Sequence, residues 1–562
     1  MSQSVTSDLA QALQEAVTLH RQGKLGQAEK IYTRIIKVRR DHFDALHLLG
    51  LLKHQSGKAG EAYRLITAAL AINPRSADAL SNLGMVLHVL KRDADALASL
   101  DKALALEPTH IEAINNRGTT LLALERADEA LACFDTLLAH EPRHVEARLN
   151  RANALLALGR REEAIAGYDA VLTMVPAHPG AHYNRGTALS GLDRPAEAIA
   201  AFDRALAAAP DHAGAWNNRG IALRALNRNR EAIASYGRAL AIRKDFADAH
   251  LNEALARLAV GDFRQGFEKN EWRWKTAGLA PHRRRFRQPL WLGTTSIGGK
   301  TILVYSEQGL GDAIHFARYA AMLARAGARV VLEVPPALKE VLSGVEGVAA
   351  ALAHGETLPA FDVHCPLVSL ALAFKTEVAT IPARVPYIAA SAPRIAKWEP
   401  LLAGVERPRV AVAWSGNPAH ANDRNRSIAP ARLDPLLSIE GVQFVSIQRD
   451  LRQPDRDPLA GMRRLRHVGD TLDDFADTAA VMALADLVVC VDSAPAHLAG
   501  AMARPVWIML PFAADWRWMQ ERDDNPWYPT ARLFRQPSPG DWASVIERVL
   551  SELTRLSSPT PG

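Results

Sequence analysis

Residues 111–144 read IEAINNRGTTLLALERADEALACFDTLLAHEPRH, and the same pattern returns along the first half of the chain. A glycine or alanine recurs every 34 residues, and an alanine follows each of the first six after twelve more residues. The recurring small residues are Gly50, Gly84, Gly118, Ala152, Gly186, Gly220 and Ala254. A strict period of this length predicts a stack of helix–turn–helix units.

Prolines and aromatic residues keep the same period. The prolines would stop the second helix of each unit, because proline lacks the backbone amide. They are Pro74, Pro108, Pro142, Pro176 and Pro210. The pattern is that of the tetratricopeptide repeat, with seven full repeats over residues 9–246 and a degraded eighth from Ala247. Each repeat would bury its apolar face only against its neighbours in the stack.

Asparagine also recurs every 34 residues, within the first helix of each predicted repeat. The residues are Asn82, Asn116, Asn150, Asn184, Asn218 and Asn252. Asparagine is a mediocre helix former, so its repeated use needs a reason. The register resembles the asparagine ladder in the repeat half of O-linked N-acetylglucosamine transferases, which implies side-chain amides that hold the backbone of an acceptor polypeptide. The alternative is that these side chains are simply solvated.

The repeats run into the segment EWRWKTAGLAPHRRRFRQPLWLG, in which Trp272, Trp274 and Trp291 flank a run of arginines. We expect the tryptophans to dock the last repeat onto the following domain and the arginines to be solvated, with contact to an acidic partner as the alternative. No Gly/Ser-rich linker is present, so we expect a rigid join. The predicted domains are residues 1–280, 281–392 and 393–562.

The second half alternates short apolar runs with helical stretches. One series contains TILVYS, RVVLEV, FDVHCPL and the segment around VPYIA, and a second contains RVAVAWSG, FVSIQ, ADLVVCVD and PVWIML. Strands that alternate with helices predict parallel sheets with helices on both faces. We therefore expect two α/β lobes, and ligands of such sheets bind beyond the carboxyl ends of the strands.

Composition narrows the classes of function. Hydrophobic residues make up 48% of the chain and charged residues 23%, which is typical of globular proteins, and the net charge of +6 is a poor argument for nucleic-acid binding. Cys133, Cys365 and Cys490 lie far apart, so neither a zinc site nor a disulfide framework is expected. The first residues lack the pattern of a secretory signal, and no apolar run is long enough to span a bilayer. These features predict a soluble, cytoplasmic protein.

Two glycine-containing segments resemble nucleotide fingerprints but lack a required residue. After Gly309-Leu310-Gly311 a dinucleotide fingerprint would need a third glycine where Ile314 stands. Before Gly299-Lys300-Thr301 a phosphate-binding loop would need a glycine where Thr294 stands. The sequence therefore supports neither a dehydrogenase nor a P-loop ATPase.

The turn after TILVYS reads Gln308-Gly309-Leu310-Gly311-Asp312 and leads into a predicted helix. Glycines let the backbone approach a ligand closely, and an acid at the end of the turn would point into the cleft. We predict Asp312 as a catalytic residue, with Gly309 and Gly311 in contact with the donor. The alternative is that Asp312 only caps its helix.

The second series of strands supplies the other candidates for donor binding. These are Ser415, Gly416, Asn417, Arg424, Arg426, Gln448, Asp492, Ser493, His497 and Trp516. The guanidinium groups of Arg424 and Arg426 suit phosphate oxygens, and the helix that follows Asp492 would present an anion-binding N-terminus. We expect Trp516 to stack on a base or sugar. His497 as a structural residue and Trp516 as a core residue are the alternatives.

The segments GLGDAIHFARYAAMLARAGARVVLEV and CVDSAPAHLAGAMARPVWIML resemble the bacterial lipopolysaccharide heptosyltransferases, glycosyltransferase family nine, over roughly residues 300–540. The resemblance implies an α-solenoid followed by a GT-B fold of two Rossmann-like lobes, with Asp312 as the general base and Asp492 in contact with the donor sugar. Asp492-Ser493-Ala494 departs from the family's Asp-Thr-Gly, and Arg424 or Arg426 replaces the expected lysine. The identity of the donor therefore stays open.

These features predict a transferase that moves a sugar from a nucleotide-sugar donor to a protein recruited by the repeats. Family members are inverting and need no metal, so no cofactor is expected. Inversion requires a base for the acceptor and positive charge for the departing diphosphate, which are the roles of Asp312 and the arginines. One alternative is a lipid-linked or polysaccharide acceptor. The other is an interaction scaffold whose transferase domain is inactive.

Overall fold

The computed structural model describes residues 2–405, 407–420, 422–462 and 464–557. The chain divides into two compact units, Met1–Pro210 and Asp211–Gly562. Within the described residues, no helix combines the length and the apolar character that crossing a membrane requires.

Helix pairs make up the whole first unit and the beginning of the second. In the first unit they are α1 (Ser2–Arg21), α2 (Leu25–Val38), α3 (Phe43–Gln55), α4 (Ala59–Ile72), α5 (Ala77–Val89), α6 (Asp93–Leu106), α7 (Ile111–Ala123), α8 (Ala127–His140), α9 (Val145–Ala157), α10 (Arg161–Met174), α11 (Pro179–Gly191) and α12 (Pro195–Ala208). In the second unit they are α13 (Ala213–Ala225), α14 (Asn229–Ile242), α15 (Ala247–Ala259) and α16 (Phe263–Asn270). The predicted solenoid of helix pairs is confirmed, and the degraded eighth repeat is the pair with the shortened second helix.

The recurring glycine of a repeat lies directly against a large side chain on the second helix of the same repeat. A Cβ added at Gly118 would lie 2.6 Å from the ring of Phe134, and one at Gly186 would lie 2.6 Å from the ring of Phe202. The two helices therefore approach closely where the side chain is missing, as the period predicts. The aromatic ring fills a gap inside its own repeat, a contact that the period alone does not assign.

Histidines begin many of the first helices. The ring Nδ1 accepts a hydrogen bond from the backbone N–H three residues later, at 2.9 to 3.4 Å. The residues are His42, His110, His144, His178 and His212. An imidazole nitrogen here takes the place of the hydroxyl or carboxylate oxygen usual at an N-cap, and it can accept only while it is unprotonated.

The described strands of the second unit form two sheets with parallel pairing throughout. The first has the order β3-β2-β1-β4, with β1 (Thr301–Tyr305), β2 (Arg329–Val334), β3 (Val348–Ala353) and β4 (Val363–Pro366). The second has the order β10-β9-β8-β5-β6-β7, with β5 (Arg409–Ala413), β6 (Gln443–Ser446), β7 (Leu465–His467), β8 (Leu487–Val491), β9 (Val506–Leu510) and β10 (Ala531–Arg535). The predicted α/β class is confirmed.

Helices connect the strands of both sheets. They are α17 (Leu310–Phe316), α18 (Ala320–Arg325), α19 (Lys339–Ser343), α20 (Leu370–Ala373), α21 (Ala392–Trp398), α22 (Asp423–Arg426), α23 (Pro430–Leu437), α24 (Arg456–Ala460), α25 (Phe475–Leu484), α26 (Ala494–Ala501) and α27 (Trp542–Ser557). Short 3-10 turns add Glu271–Lys275, Ala280–His282, Ala317–Tyr319, Pro336–Leu338, Leu367–Ser369, Val378–Thr380, Pro400–Leu402, Gln453–Asp455, Gly469–Thr471 and Trp516–Trp518.

The sequence pattern does not predict three of the strands, and one predicted segment is not a strand. β3 is apolar but consists mostly of alanine, which is depleted in strands, β7 has three residues, and β10 carries two arginines, so none of them shows the β-branched or alternating pattern of a strand. The segment around VPYIA, residues 385–389, has no regular secondary structure. Its alternation of apolar and small residues is therefore a misleading signal.

The tryptophans of the join pack on different parts of the second unit. Trp272 stacks on His250 of α15, with ring centroids 3.7 Å apart. Trp291 packs edge-on against Phe374, at 5.6 Å between centroids, and its indole nitrogen donates to the Thr295 carbonyl oxygen. The contacts that tie the last repeats to the sheets come instead from other aromatic residues, described below.

Candidate active site

The turn between β1 and α17 holds Asp312 in two fixed contacts. Gly309 is the N-cap residue of α17, and its backbone N–H donates to Asp312 Oδ2 at 3.0 Å. The other carboxylate oxygen accepts from Nη2 of Arg517, which lies 205 residues further along the chain. The capping alternative is thus present in the structure, and it coexists with an ion pair that reaches across from the second sheet.

Arg517 links two acids. It lies in the 3-10 turn Trp516–Trp518 after β9, and its side chain is 9% exposed. Its Nη1 donates to Asp515 Oδ1 at 2.8 Å, while Nη2 bonds to Asp312. Burial by itself lowers the pKa of this guanidinium, but Asp515 and Asp312 outweigh burial and raise it. A permanent positive charge therefore stands between two carboxylates at the end of the second sheet.

Asp492 follows β8 directly and is buried. Burial, and next the negative charge of Asp515, raise the pKa of this carboxyl to about 6 against the opposing charges of Arg426 and Arg517. A carboxyl group with such a pKa can exchange a proton near neutral pH. Asp492 is therefore both a candidate for hydrogen bonding to a sugar and a candidate acid.

The loop after β5 brings backbone amides to the same region. Gln448 Oε1 accepts from the backbone N–H of Trp414 at 3.2 Å and of Ser415 at 3.0 Å, so the glutamine side chain holds the start of the loop. The Ser415 hydroxyl is buried and has no hydrogen-bond partner among the described residues. Asn417 is exposed and accepts the Ala419 N–H at 2.9 Å through its side chain. Ser415 is thus the member of this group with an unused polar atom.

Arg426 reaches from α22 to the end of β8. Its Nη1 donates to the Asp492 carbonyl oxygen at 3.1 Å, and its buried Nε has no hydrogen-bond partner among the described residues. Gly416 lies directly beside it, and a Cβ there would displace the guanidinium, because it would lie 2.5 Å from Arg426 Nη2. Arg424 is exposed on the same short helix. Of the two predicted arginines, Arg426 is the one that contacts Asp492.

Helix α26 begins immediately after this pair. Its N-cap residue Ser493 makes no side-chain cap, because the hydroxyl donates backwards to the Val491 carbonyl oxygen at 3.1 Å. In the first turn, however, Pro495 has no backbone N–H, and the Ala496 N–H donates to the Ser493 carbonyl oxygen at 3.0 Å. Few backbone donors are therefore left at this helix start, and the group beside it that suits an anion is the guanidinium of Arg426.

His497 has a structural environment. Its Nδ1 lies 3.1 Å from the Tyr528 hydroxyl, and its ring stacks on Trp518 with centroids 5.1 Å apart. Burial, and next the positive charge of Arg517, lower its pKa to about 3, so the ring is neutral. A Cβ added at Gly311 would lie 2.8 Å from the His497 ring, so this glycine allows α17 and α26 to pack closely.

The hydroxyl of Tyr528 joins the two sheet-bearing parts of the unit. It lies 3.0 Å from Nδ1 of His315 on α17 and also meets His497 on α26. The guanidinium of Arg318 lies 4.6 Å from the centre of the Tyr528 ring and donates to the Trp527 carbonyl oxygen at 2.8 Å. This buried polar cluster fixes the relative positions of the turns that carry Asp312 and Asp492.

Trp516 does not lie where a donor base could stack on it. Its indole is buried and meets Phe263 and Phe267 of α16 edge-on, at 5.9 and 5.7 Å between centroids, and Trp527 at 6.1 Å. His315 and Phe316 lie against the same indole, so the core alternative applies to this residue, because aromatic side chains already surround the ring.

Sequence reasoning overlooked two residues near the predicted ones. Arg517 lies in the segment Asp515-Trp516-Arg517-Trp518. The signal that points to it there is the spacing of the acid and the arginine, and not the two tryptophans. His420 lies in the loop after β5, and its Nδ1 accepts the Asn422 N–H at 3.1 Å. Partial desolvation, then the charge of Arg426, lower its pKa, while the charges of Asp515 and Asp312 act in the opposite direction. His420 is exposed and thus stands within electrostatic reach of the same charged groups.

Several of the recurring asparagines bond to the preceding repeat. Asn82 Nδ2 lies 2.9 Å from His47 Nε2, and Asn150 Nδ2 donates to Asn115 Oδ1 at 3.4 Å, 35 residues earlier in each case. In the second unit Asn252 makes the corresponding bond to Asn217 at 3.0 Å. Such bonds give the register a role in stacking, and they leave the side-chain oxygen of the asparagine as an acceptor.

The other three predicted asparagines make three different contacts. Asn184 Nδ2 donates to Asn153 Oδ1 at 2.8 Å, and Asn218 Oδ1 accepts from Asn217 at 3.1 Å. Asn116 contributes its backbone carbonyl oxygen to the Thr120 hydroxyl at 2.8 Å. All six asparagines are partly exposed, and contact with an acceptor stays a prediction.

The arrangement as a whole combines two guanidinium groups and three carboxylates at the carboxyl ends of β1, β5, β8 and β9. Such a set can bind an anion and can hold a carboxylate for proton transfer. Among the described residues, no three His, Cys, Asp or Glu side chains cluster in the manner of metal ligands.

Comparison with known families divides the chain in the same way. Sequence profiles described as tetratricopeptide repeat match residues 49–111, 115–182 and 178–245. A profile described as glycosyltransferase family 9 (heptosyltransferase) matches residues 472–508, which run from α25 through β8 and α26 into β9. That segment contains Asp492, Ser493 and His497.

A curated relative is protein FlbA of Caulobacter vibrioides, 28% identical over 324 residues. The match covers 53% of this chain and 53% of the relative, so the chain spans about half of that protein's length. A tetratricopeptide repeat protein from Parabacteroides merdae is 20% identical, with a TM-score of 0.38, and covers 44% of this chain and 99% of its own. YrrB, a tetratricopeptide repeat protein whose structure is titled as having an unusual peptide-binding site, is 24% identical, with a TM-score of 0.28, and covers 33% and 95%. This chain therefore carries tetratricopeptide repeats in its first half and a segment of the glycosyltransferase family 9 type in its second sheet.

Proposed function

We propose that the chain is a nucleotide-sugar-dependent glycosyltransferase of the GT-B type, with residues 281–392 as the acceptor-side lobe and residues 393–562 as the donor lobe. The family 9 match around β8 and α26 supports this assignment. So does the parallel pairing of both sheets, whose strand ends carry the polar residues. The two turns that face each other belong to different sheets, as a cleft between two lobes requires.

The observation that carries the proposal is the set of unused hydrogen-bonding atoms beside Asp492. The Ser415 hydroxyl and Arg426 Nε are buried without hydrogen-bond partners among the described residues, and the nearest carboxylate oxygen to that Nε, Asp423 Oδ1, lies 3.7 Å away. Buried polar atoms without partners are costly in a folded protein unless a ligand satisfies them. A diphosphate offers several acceptor oxygens to such donors, with Arg426 supplying the charge.

The roles of the remaining groups follow from their contacts. Asp312 takes the proton of the acceptor, and its bond to Gly309 and its pair with Arg517 hold the carboxylate in one orientation. Each carboxylate oxygen keeps a second lone pair for the incoming hydroxyl. Arg426 and Arg517 stabilise the negative charge that develops on the departing diphosphate. The reaction inverts the sugar centre and needs no metal.

The repeats recruit the acceptor, which we take to be a protein. Arrays of helix pairs present extended surfaces that bind other chains. The side-chain oxygens that the asparagines retain can accept from peptide N–H groups regardless of sequence.

A thermal-shift screen with UDP-, ADP- and GDP-sugars tests donor binding, because a ligand that binds only the folded state raises the melting temperature. The stabilising donor is then offered to the wild type, to Asp312→Asn and to Arg426→Gln. We expect Asp312→Asn to bind the donor and to lose at least about a hundredfold in turnover, and Arg426→Gln to weaken binding about tenfold or more.

Asn425→Ala serves as the matched control, since Asn425 precedes Arg426 on the same short helix and its exposed side chain donates to Asn422 within its own turn. Undiminished turnover in Asp312→Asn would remove this residue as the base. The absence of any stabilising nucleotide sugar would favour the scaffold alternative. Peptide pools and glycan arrays as acceptors separate a protein acceptor from a glycan.

A further inference from the structure

We propose that the last two repeats position Arg517 for catalysis, with Asn227 and Phe263 as positioning residues that act through the loop of residues 511–528. This inference rests on the proposed transferase function and adds a role for the repeats besides recruitment. We call residues 511–528, between β9 and β10, the arginine loop.

Hydrogen bonds from one repeat turn hold two points of the arginine loop. Asn227, in the turn between α13 and α14, donates through Nδ2 to the Phe512 carbonyl oxygen at 2.5 Å. Gln520 Nε2 donates to the Asn227 carbonyl oxygen at 2.9 Å. A single turn of the seventh repeat therefore holds the loop on both sides of Arg517.

Aromatic packing attaches the middle of the loop to the eighth repeat. Phe263 at the start of α16 stacks on Trp527 at 5.7 Å and meets Trp516 edge-on at 5.9 Å. Trp516 and Arg517 are consecutive, so the residue that packs on the repeat precedes the residue that pairs with Asp312. A shift of α16 must therefore shift the guanidinium as well.

The backbone of the loop is strained at the point where it leaves the site. Met519 has φ 55° and ψ −171°, a region that is essentially reserved for glycine. A Cβ added at Gly261, in the turn before α16, would lie 3.3 Å from Met519 Cε, so the strained residue touches the repeat. Such a conformation persists only when its surroundings hold it in place, and here the surroundings include the repeats.

The far side of the loop is fixed within the second sheet. Arg535 of β10 donates through Nη2 to the Trp518 carbonyl oxygen at 2.5 Å and through Nε to the Arg522 carbonyl oxygen at 3.0 Å. Arg517 thus lies between one anchor in the sheet and another in the repeats. We infer that the ion pair with Asp312 keeps its geometry only while both anchors hold.

The test measures hydrolysis of the donor without any acceptor, so that recruitment by the repeats cannot contribute. Asn227→Gly suits it, because Asn227 has φ 57° and glycine accepts this conformation while losing the bond to Phe512. Glu125→Gly is the matched control: Glu125 has φ 59° in the corresponding turn three repeats earlier. Phe263→Leu is a second variant, which keeps an apolar side chain and removes the ring.

We expect kcat to fall about tenfold or more in Asn227→Gly and in Phe263→Leu, with KM for the nucleotide sugar within about twofold of the wild type, because a displaced catalytic group loses rate without losing ground-state binding. Glu125→Gly should keep the wild-type kcat. Equal kcat values in Asn227→Gly and Glu125→Gly would overturn the inference.

Hydrogen–deuterium exchange of peptides from residues 511–528 separates this inference from the proposed function. Faster exchange in Asn227→Gly than in Glu125→Gly supports the anchoring role, and equal exchange contradicts it. If the wild type hydrolyses no nucleotide sugar, the proposed function fails, while the exchange result still decides whether the repeats hold the loop.

Discussion

Replacing Arg273 by methionine should destabilise the second unit strongly. Arg273 lies in the 3-10 turn that follows the last repeat, and its side chain is fully buried. Its guanidinium donates to Glu271 at 2.5 Å, to Glu307 at 2.9 Å and to the Ser369 hydroxyl at 2.7 Å. Arg273→Met keeps much of the apolar volume and removes three charge-assisted hydrogen bonds.

The magnitude follows from the carboxylate that stays behind. The Glu307 side chain is 2% exposed, so without Arg273 it becomes a buried acid without its cation. Removing one partner of a buried ion pair typically costs about 3–5 kcal/mol. An exposed pair typically contributes only about 0–1 kcal/mol. Arg384→Met is the matched control, because Arg384 and Glu346 are exposed and 3.6 Å apart.

The predicted loss of stability also depends on pH, because Glu307 titrates. Burial raises its pKa from 4.5 to about 7, against the opposing charge of Arg273. The folded state therefore holds this proton more tightly than the unfolded state, and stability from this group falls as pH rises from 4.5 to 7, by about 3 kcal/mol. Without Arg273 the pKa rises further, so the difference in stability between the variant and the wild type should keep growing above pH 7.

Urea unfolding followed by tryptophan fluorescence measures the effect in the correct unit, because all 11 tryptophans lie between residues 216 and 542. We expect Arg273→Met to lower the free energy of unfolding by about 3–5 kcal/mol at pH 8.5, where Glu307 of the wild type is ionised, and Arg384→Met by less than about 1 kcal/mol. Equal losses in the two variants, or a difference from wild type that stays constant between pH 7 and 8.5, would refute the reasoning.

Two further predictions use the same assay. Gly220→Ala should destabilise the second unit by about 1–3 kcal/mol, because a Cβ there would overlap the ring of Tyr236. Gly237→Ala, on an open face of α14, should stabilise the unit by about 0.5–1 kcal/mol, because alanine is the better helix former. Changes of the same sign in both variants would contradict the packing argument. Asp477→Asn should lower the free energy of unfolding by about 2 kcal/mol. Burial alone would raise the pKa of Asp477, but hydrogen bonds from Lys397 and the Trp398 indole lower it to about 2. That contribution is present above pH 3.8 and should be lost as pH falls through about 2, and an unchanged acid-unfolding profile in the variant would refute it.

The candidate site was predictable only where its residues follow a strand directly. Asp492 comes immediately after an apolar run, and Asp312 ends a glycine turn after another, so the rule that ligands bind at the carboxyl ends of parallel strands selects both. Trp516 shows the limit of this approach. A tryptophan next to charged residues has the composition of a stacking platform, and only its aromatic neighbours in the folded protein assign it to the interior.

The sequence by itself determined the repeat half, because its packing is local. Gly118 meets Phe134 sixteen residues later, and an asparagine bonds 35 residues back, so one period in the sequence records every such contact. Only the tertiary structure decided how the site is assembled. Asp312 and Arg517 are 205 residues apart, and Asn227 and Phe512 are 285 apart. No spacing encodes such pairs, because they meet only after two sheets and the last repeats have packed together.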